Sequence, residues 1–143
     1  MKTARQLLQE KSRQAIFSVP PTATVYQALQ LMAEKDIGAV LVMEGEKLTG
    51  IFSERDYARK VVLQGKTSAG TPIVDIMTKR VMFALPSQTV DECMAIMSEK
   101  RFRHLPVMDG DKVIGVLSIT DLVREQIAEQ QFLIEQLEQY IHG

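Results

Sequence analysis

The chain has 143 residues, of which 45% are hydrophobic and 24% charged, enough for one compact domain or two very small ones with a real core. A formal net charge of −1 gives no global drive toward nucleic acid or an anionic membrane, so neither is expected as a partner. A single cysteine, Cys93, excludes an internal disulfide and fits a reducing compartment; with a charged start lacking a signal-peptide core and no long apolar run, a cytoplasmic location is expected.

In chain order, Ala4–Leu8 reads as a short helical stretch. An apolar run, Ile16–Val19, ends at a proline and is followed by a helix. Thr24 and Gln27 have capping-box spacing, and Val25, Ala28, Leu29 and Met32 recur at helical intervals. Gly38 is expected to end that helix. Two apolar strands, Ala39–Met43 and Leu48–Phe52, flank a turn at Gly45, which predicts a hairpin. A second helix is expected from Ser53. Gln64–Pro72 reads as a linker, and a helical turn through Val74–Met77 follows it.

The same order then recurs. Shifted by 65 residues, Phe17–Lys60 lies on Met82–Glu125 without a gap, with 14 of 44 positions identical. Unrelated sequences of average composition would share about three. The second copy has its apolar run at Val81–Leu85, a capping box at Thr89 and Glu92, and helix positions Val90, Cys93, Met94 and Met97. Its hairpin strands are Leu105–Met108 and Val113–Leu117 around Gly110. Each copy is a β-α-β-β-α unit, an α+β design. The expected division is residues 1–67 for the first repeat with its N-terminal helix, 68–125 for the linker and second repeat, and 126–143 for a helical extension.

Two features of each repeat could carry chemistry. The first is the step from strand to helix, Ser53-Glu54-Arg55-Asp56 and Ser118-Ile119-Thr120-Asp121. Ser with an acid three positions later caps a helix, and Asp suits the positive end of the helix dipole. The same end of a helix also attracts anions, and an Asp can accept two hydroxyl hydrogen bonds from a ribose diol. Both readings hold together if Ser caps while Asp faces a ligand. The second feature is the start of the hairpin: Ile37-Gly38-Ala39 in one copy, and Arg101 to Pro106 in the other. Gly38 would let a flat ring approach the backbone. Arg101, Arg103 and His104 suit a phosphate or a solvated helix end equally well. Arg55 is a further phosphate candidate or an ordinary surface charge.

Taken in register and in duplicate, the repeated unit, the phrases Asp36-Ile37-Gly38-Ala39 and Arg103-His104-Leu105-Pro106-Val107, the strands closing in Gly50-Ile51-Phe52 and Gly115-Val116-Leu117, and the two Ser-x-x-Asp steps resemble a tandem pair of cystathionine-β-synthase-type (CBS) domains, a Bateman module of the small stand-alone bacterial type. The resemblance implies two repeats packed about a pseudo-twofold axis with two ligand clefts between them. It implies adenosine-containing ligands: AMP, ADP, ATP, NAD(H) or S-adenosylmethionine. Asp56 and Asp121 would hold ribose hydroxyls, with Ser53, Ser118 and Thr120 toward ribose or phosphate. Ile37, Gly38 and Ala39 in one cleft, and Arg103, His104 and Pro106 in the other, would frame adenine, with Ile16 and Val81 on the opposite walls. Many family members have Thr where this chain has Ser53 and Ser118; the hydroxyl is retained. Leu41 stands where the second copy has Pro106, so unequal clefts are expected.

A reaction centre does not assemble from the sequence. Two histidines and one cysteine are present, and metal-ligand runs, Walker-type loops and nucleophile elbows are absent. Cys93 aligns with Ala28 on an inward helix face and is expected to be structural. The expectation is therefore a non-catalytic, regulatory nucleotide-binding module that signals to a downstream protein; the alternative is a structural or dimerisation module with vestigial clefts. After Asp121, Val123, Ile127, Gln130, Ile134, Leu137 and Ile141 alternate at spacings of four and three. That heptad seam outlasts the repeat and predicts a homodimer through this helix; the alternative is a helix folded back on its own module.

Overall fold

A computed structural model describes residues 1–11 and 16–142. Its elements are α1 (Ala4–Glu10), β1 (Ser18–Val19), α2 (Val25–Lys35), β2 (Ala39–Glu44), β3 (Lys47–Ser53), α3 (Glu54–Asp56) continuing as a π-helical segment (Tyr57–Val62), a 3-10 turn (Ile73–Asp75), α4 (Val90–Lys100), β4 (His104–Asp109), β5 (Lys112–Ser118) and α5 (Ile119–His142). The β-α-β-β-α order appears in full in the first repeat and recurs in the second with its first strand reduced to a bridge at Ala84 and its closing helix drawn out into the long C-terminal α5.

Local chemistry explains the elements. The expected capping boxes form at Thr24 with Gln27 and at Thr89 with Glu92, and a third forms at Thr3 with Gln6. Each cap stabilises its helix by about 1 kcal/mol. The residue that ends α2 is Asp36, left-handed at φ 53°, rather than Gly38; its counterpart after α4 is Arg101 at φ 59°. Both hairpins turn at a glycine in the left-handed region, Gly45 and Gly110, as the sequence predicts. In the first repeat β1 pairs parallel with β2, and β2 pairs antiparallel with β3, with Ala39 opposite Ser53 and an irregularity between Val42 and Met43. In the second repeat β4 pairs with β5, and the first strand shrinks to a parallel bridge between Ala84 and Val107.

Each repeat has its own core, and the two cores are copies. Val25, Ala28, Met32, Val40, Val42 and Phe52 are buried in one; Val90, Cys93, Met97, Leu105, Val107 and Leu117 occupy the same six repeat positions in the other. A fully buried aliphatic or aromatic side chain contributes about 1.5–3 kcal/mol. Cys93 is one of these residues, and burial followed by the neighbouring Glu92 charge pushes its thiol up to about 11, so it stays protonated at neutral pH.

The expected division at residue 67 follows the chain, but the packing crosses it. The unit that contains α4, β4 and α5 also contains α1, and the unit built on the first repeat retains the 3-10 turn beyond residue 67. Ala4 and Leu7 of α1 are buried in the second repeat's core, whereas Ile73 and Ile76 are buried in the first repeat's core. The backbone bonds match pairwise. Val90 N–H donates to the Lys2 carbonyl and Val25 N–H to the Thr71 carbonyl; Ala4 N–H donates to Gln88 and Ile73 N–H to Ala23. Glycine makes room for both inserts. A Cβ on Gly50 would lie 2.5 Å from Met77 Sδ, and one on Gly115 would lie 2.5 Å from Leu8 Cδ2. Each repeat is therefore completed by the segment preceding the other one.

Candidate functional site

In the first repeat, β3 ends at Ser53 and the chain turns directly into α3. Ser53 Oγ accepts from the Asp56 N–H at 3.2 Å, and the Ser53 N–H donates to Asp56 Oδ2 at 3.0 Å. The other carboxylate oxygen, Oδ1, faces Lys60 Nζ at 3.1 Å and Thr78 Oγ1 at 3.4 Å. The start of the hairpin is held against this step, since the Glu54 N–H donates to the Gly38 carbonyl at 3.1 Å. Ile37, Gly38 and Ala39 thus adjoin Ser53 and Asp56. Leu41 N–H donates to the Phe17 carbonyl, which fixes the segment led by Ile16 along the same strand; Ile16 itself is exposed. Arg55 is exposed on the first turn of α3.

The second repeat reproduces the arrangement. Asp121 N–H donates to Ser118 Oγ at 3.2 Å, and Ser118 N–H donates to Asp121 Oδ2 at 2.8 Å. Ile119 N–H donates to the Arg103 carbonyl at 2.8 Å, which brings Arg103 and the neighbouring His104 beside the Ser-x-x-Asp step. Arg103 and Thr120 are exposed and His104 is half-buried. Val81 is half-buried and precedes the bridge at Ala84. Pro106 is the exception. It is buried, and its carbonyl accepts from Ala84 N–H at 2.8 Å, so its backbone is committed to the sheet.

Both aspartates also have a lysine partner. Lys11 Nζ lies 2.9 Å from Asp121 Oδ2 and donates to the Val116 carbonyl at 2.8 Å. Burial alone would raise the Asp121 carboxyl, but the Ser118 N–H and the Lys11 ammonium outweigh it and hold the carboxyl below its ordinary value. The charge partner in the first repeat, Lys60, stands four residues on from Asp56, a spacing visible in sequence. No spacing in the sequence links Lys11 to Asp121, which it reaches only through the docking of α1.

A carboxyl held low in the native state contributes stability that is fully present above its unfolded value of 3.8 and is lost as the pH falls through its native value. Lys11→Met is therefore expected to lower stability at neutral pH and to flatten the loss as the pH falls below the ordinary carboxyl value of 3.8. Urea midpoints measured through that fall in pH check this; an unchanged acid slope would show that Lys11 does not set the carboxyl.

Among the described residues, no helix is long and apolar enough to cross a membrane, and no group of three or more His, Cys, Asp and Glu is placed to hold a metal ion.

Two β-α-β-β-α units, each with a Ser-x-x-Asp step set beside the start of its hairpin, define a tandem-repeat module. Residues 6–63 and 73–128 match the CBS domain, and the chain belongs to the CBS-domain family, carrying that domain twice. It is 38% identical over 125 residues to the mitochondrial CBS domain-containing protein CBSX3 of Arabidopsis thaliana, a match covering 84% of this chain and 61% of that relative's length. A CBS-domain protein from Burkholderia ambifaria MC40-6 is 53% identical, with a TM-score of 0.86 and 90% and 96% of the two chains covered. The CBS domain pair of MJ0100, solved with 5′-methylthioadenosine and S-adenosyl-L-methionine, shares the fold at a TM-score of 0.78 and 23% identity, covering 90% of this chain and 98% of that one.

Proposed function

We propose that this chain is a non-catalytic regulatory module of a reducing, cytoplasmic compartment that binds an adenosine-containing small molecule, AMP, ADP, ATP or NAD(H), and passes its occupancy to a protein partner. The observation that carries the reading is the duplicated pairing of a hairpin start with a Ser-x-x-Asp step, Gly38 with Glu54 and Arg103 with Ile119. It sets a carboxylate and a hydroxyl beside the hairpin backbone at a helix start, groups that suit a ribose diol and lie at the end of a helix that favours a phosphate. The MJ0100 pair, which holds two adenosine derivatives, supports this ligand class.

In this reading Asp56 and Asp121 accept the ribose hydroxyls. Ser53, Ser118 and Thr120 lie toward ribose or phosphate, and Arg55, Arg103 and His104 attract phosphate. Ile37, Gly38 and Ala39 frame one adenine and the stretch from Arg103 to Pro106 the other, with Ile16 and Val81 as apolar walls. Because Lys60 and Lys11 already occupy the carboxylates, a diol must share or displace an ammonium at each site. The same observation favours the second reading, a structural module, since Ser53 and Ser118 with their aspartates also cap their helices in full.

Titration calorimetry with AMP, ADP, ATP, NADH and S-adenosylmethionine separates the two. At least one is expected to bind with a Kd below roughly 1 mM, or about −4 kcal/mol. No heat from any of them at that concentration sinks the sensor reading. Product analysis after incubation with ATP or NADH tests the absence of turnover.

A further inference from the structure

The last 24-residue helix, α5, serves two faces. Near its start one face belongs to its own repeat: Leu122 is buried, Glu125 receives Lys2 at 3.3 Å, and Gln126 donates to Asp91 at 3.4 Å. The heptad seam lies on another face and stays bare. Ile127 is 61% exposed, Ile134 48%, Leu137 60% and Ile141 72%, and every described residue from Gln131 onward is exposed. Three isoleucines and a leucine in water at heptad spacing form a coiled-coil surface without its partner strand.

We propose that this seam is covered by α5 of a second copy of the chain, running antiparallel. The charges flanking the seam choose both the occupant and its direction. In heptad terms Ile127, Ile134 and Ile141 occupy the a positions and Val123, Gln130 and Leu137 the d positions; Arg124 and Glu138 lie at e, Ile119, Leu133 and Tyr140 at g. A parallel pair sets g beside the partner's e one heptad on. Leu133 then meets the partner's Glu138, a charge against an apolar side chain, and Arg124 meets no acidic residue, because the g position before it, Ile119, packs on its own repeat's core. An antiparallel pair sets e beside e and g beside g. Arg124 meets the partner's Glu138 twice by symmetry, and Leu133 meets the partner's Leu133 at the centre. The seam layers match as well: Val123 on the partner's Ile141, Ile127 on the partner's Leu137, and Gln130 on the partner's Ile134. One alignment satisfies charge and apolar complementarity together, and the helix dipoles are opposed in it as well. The inference needs no ligand and stands apart from the nucleotide reading.

Sedimentation equilibrium of the full chain over a concentration series tests it, with circular dichroism confirming the fold of each variant. The wild type is expected to sediment at twice its 16.1 kDa. Glu138→Arg, which opposes Arg124 with a like charge at both ends, is expected to weaken the dimer by roughly tenfold. Adding Arg124→Glu reverses both charges and is expected to restore wild-type affinity. A monomer at all concentrations, a dimer indifferent to Glu138→Arg, or a double variant as weak as the single one overturns the proposal.

Discussion

Asp121→Ala is expected to lose both stability and ligand affinity, and the two losses can be separated. The carboxylate accepts the Ser118 N–H at 2.8 Å and holds Lys11 Nζ at 2.9 Å. Removing it breaks the return bond of the Ser118–Asp121 capping box, leaves the Ser118 cap itself in place, and strands a partly buried ammonium, which should cost roughly 1–3 kcal/mol of stability. On the nucleotide reading it also removes a charged acceptor from the ribose diol, which should weaken binding by about 1.5–3 kcal/mol, or roughly 10–150-fold. Asp121→Asn distinguishes the roles. An amide oxygen still accepts the Ser118 N–H, so the thermal midpoint should recover most of what alanine loses, while the neutral side chain cannot hold Lys11 as an ion pair and its single acceptor oxygen, already engaged, cannot take both hydroxyls. Calorimetry on both variants, beside their melting curves, decides the matter. Unchanged affinity in a folded Asp121→Ala protein would assign the residue to capping alone.

Gly115→Ala, in β5, is expected to destabilise the second repeat although it adds one methyl group. The new Cβ would stand 2.5 Å from Leu8 Cδ2, 2.9 Å from Cδ1 and 3.2 Å from Cγ, so the whole branched end of Leu8 must move. Overpacking of this kind costs about 1–3 kcal/mol. Because the obstacle is a single side chain from α1, Leu8→Ala should relieve it, and the double variant should be more stable than the sum of the two single losses. A positive coupling of roughly 0.5–3 kcal/mol in a double-mutant cycle on urea unfolding is the expected result. Additive losses would mean that α1 does not seat Leu8 over Gly115.

These two glycines mark the limit of what could be read from the chain alone. Gly50 and Gly115 align in the duplication, and a glycine inside a strand implies that something approaches closely. What approaches is Met77 in one repeat and Leu8 in the other, and no local pattern discloses it, because Leu8 lies more than 100 positions from Gly115. The elements themselves were legible. Capping boxes, helical spacing and glycine turns are short-range signals, and they place α2, α4 and both hairpins where they form. The left-handed residue that ends α2 is Asp36, two positions before the Gly38 that the sequence offers as a helix breaker. Asp can take this conformation because its short polar side chain tolerates that region. The site was legible to the same depth. Ser53 with Asp56 and Ser118 with Asp121 announce themselves by spacing, and the hairpin starts join them through one backbone bond each. Lys11 stayed hidden for the same reason as Leu8.

The completion of each repeat by the segment preceding the other bears on how the chain is made. On the ribosome, α1 emerges more than 100 residues before α5, against which its repeat closes. The first repeat can close as soon as the 3-10 turn at Ile73–Asp75 is out, but Ala4, Leu7 and Leu8 must wait for synthesis of the second. The halves are therefore not interchangeable parts: a cut at residue 67 would leave the first fragment with an orphaned helix and the second without its plug. Gene fission at the apparent seam of the duplication should yield two insoluble pieces, whereas co-expression could let them find each other. The duplication, once fused, has become hard to undo.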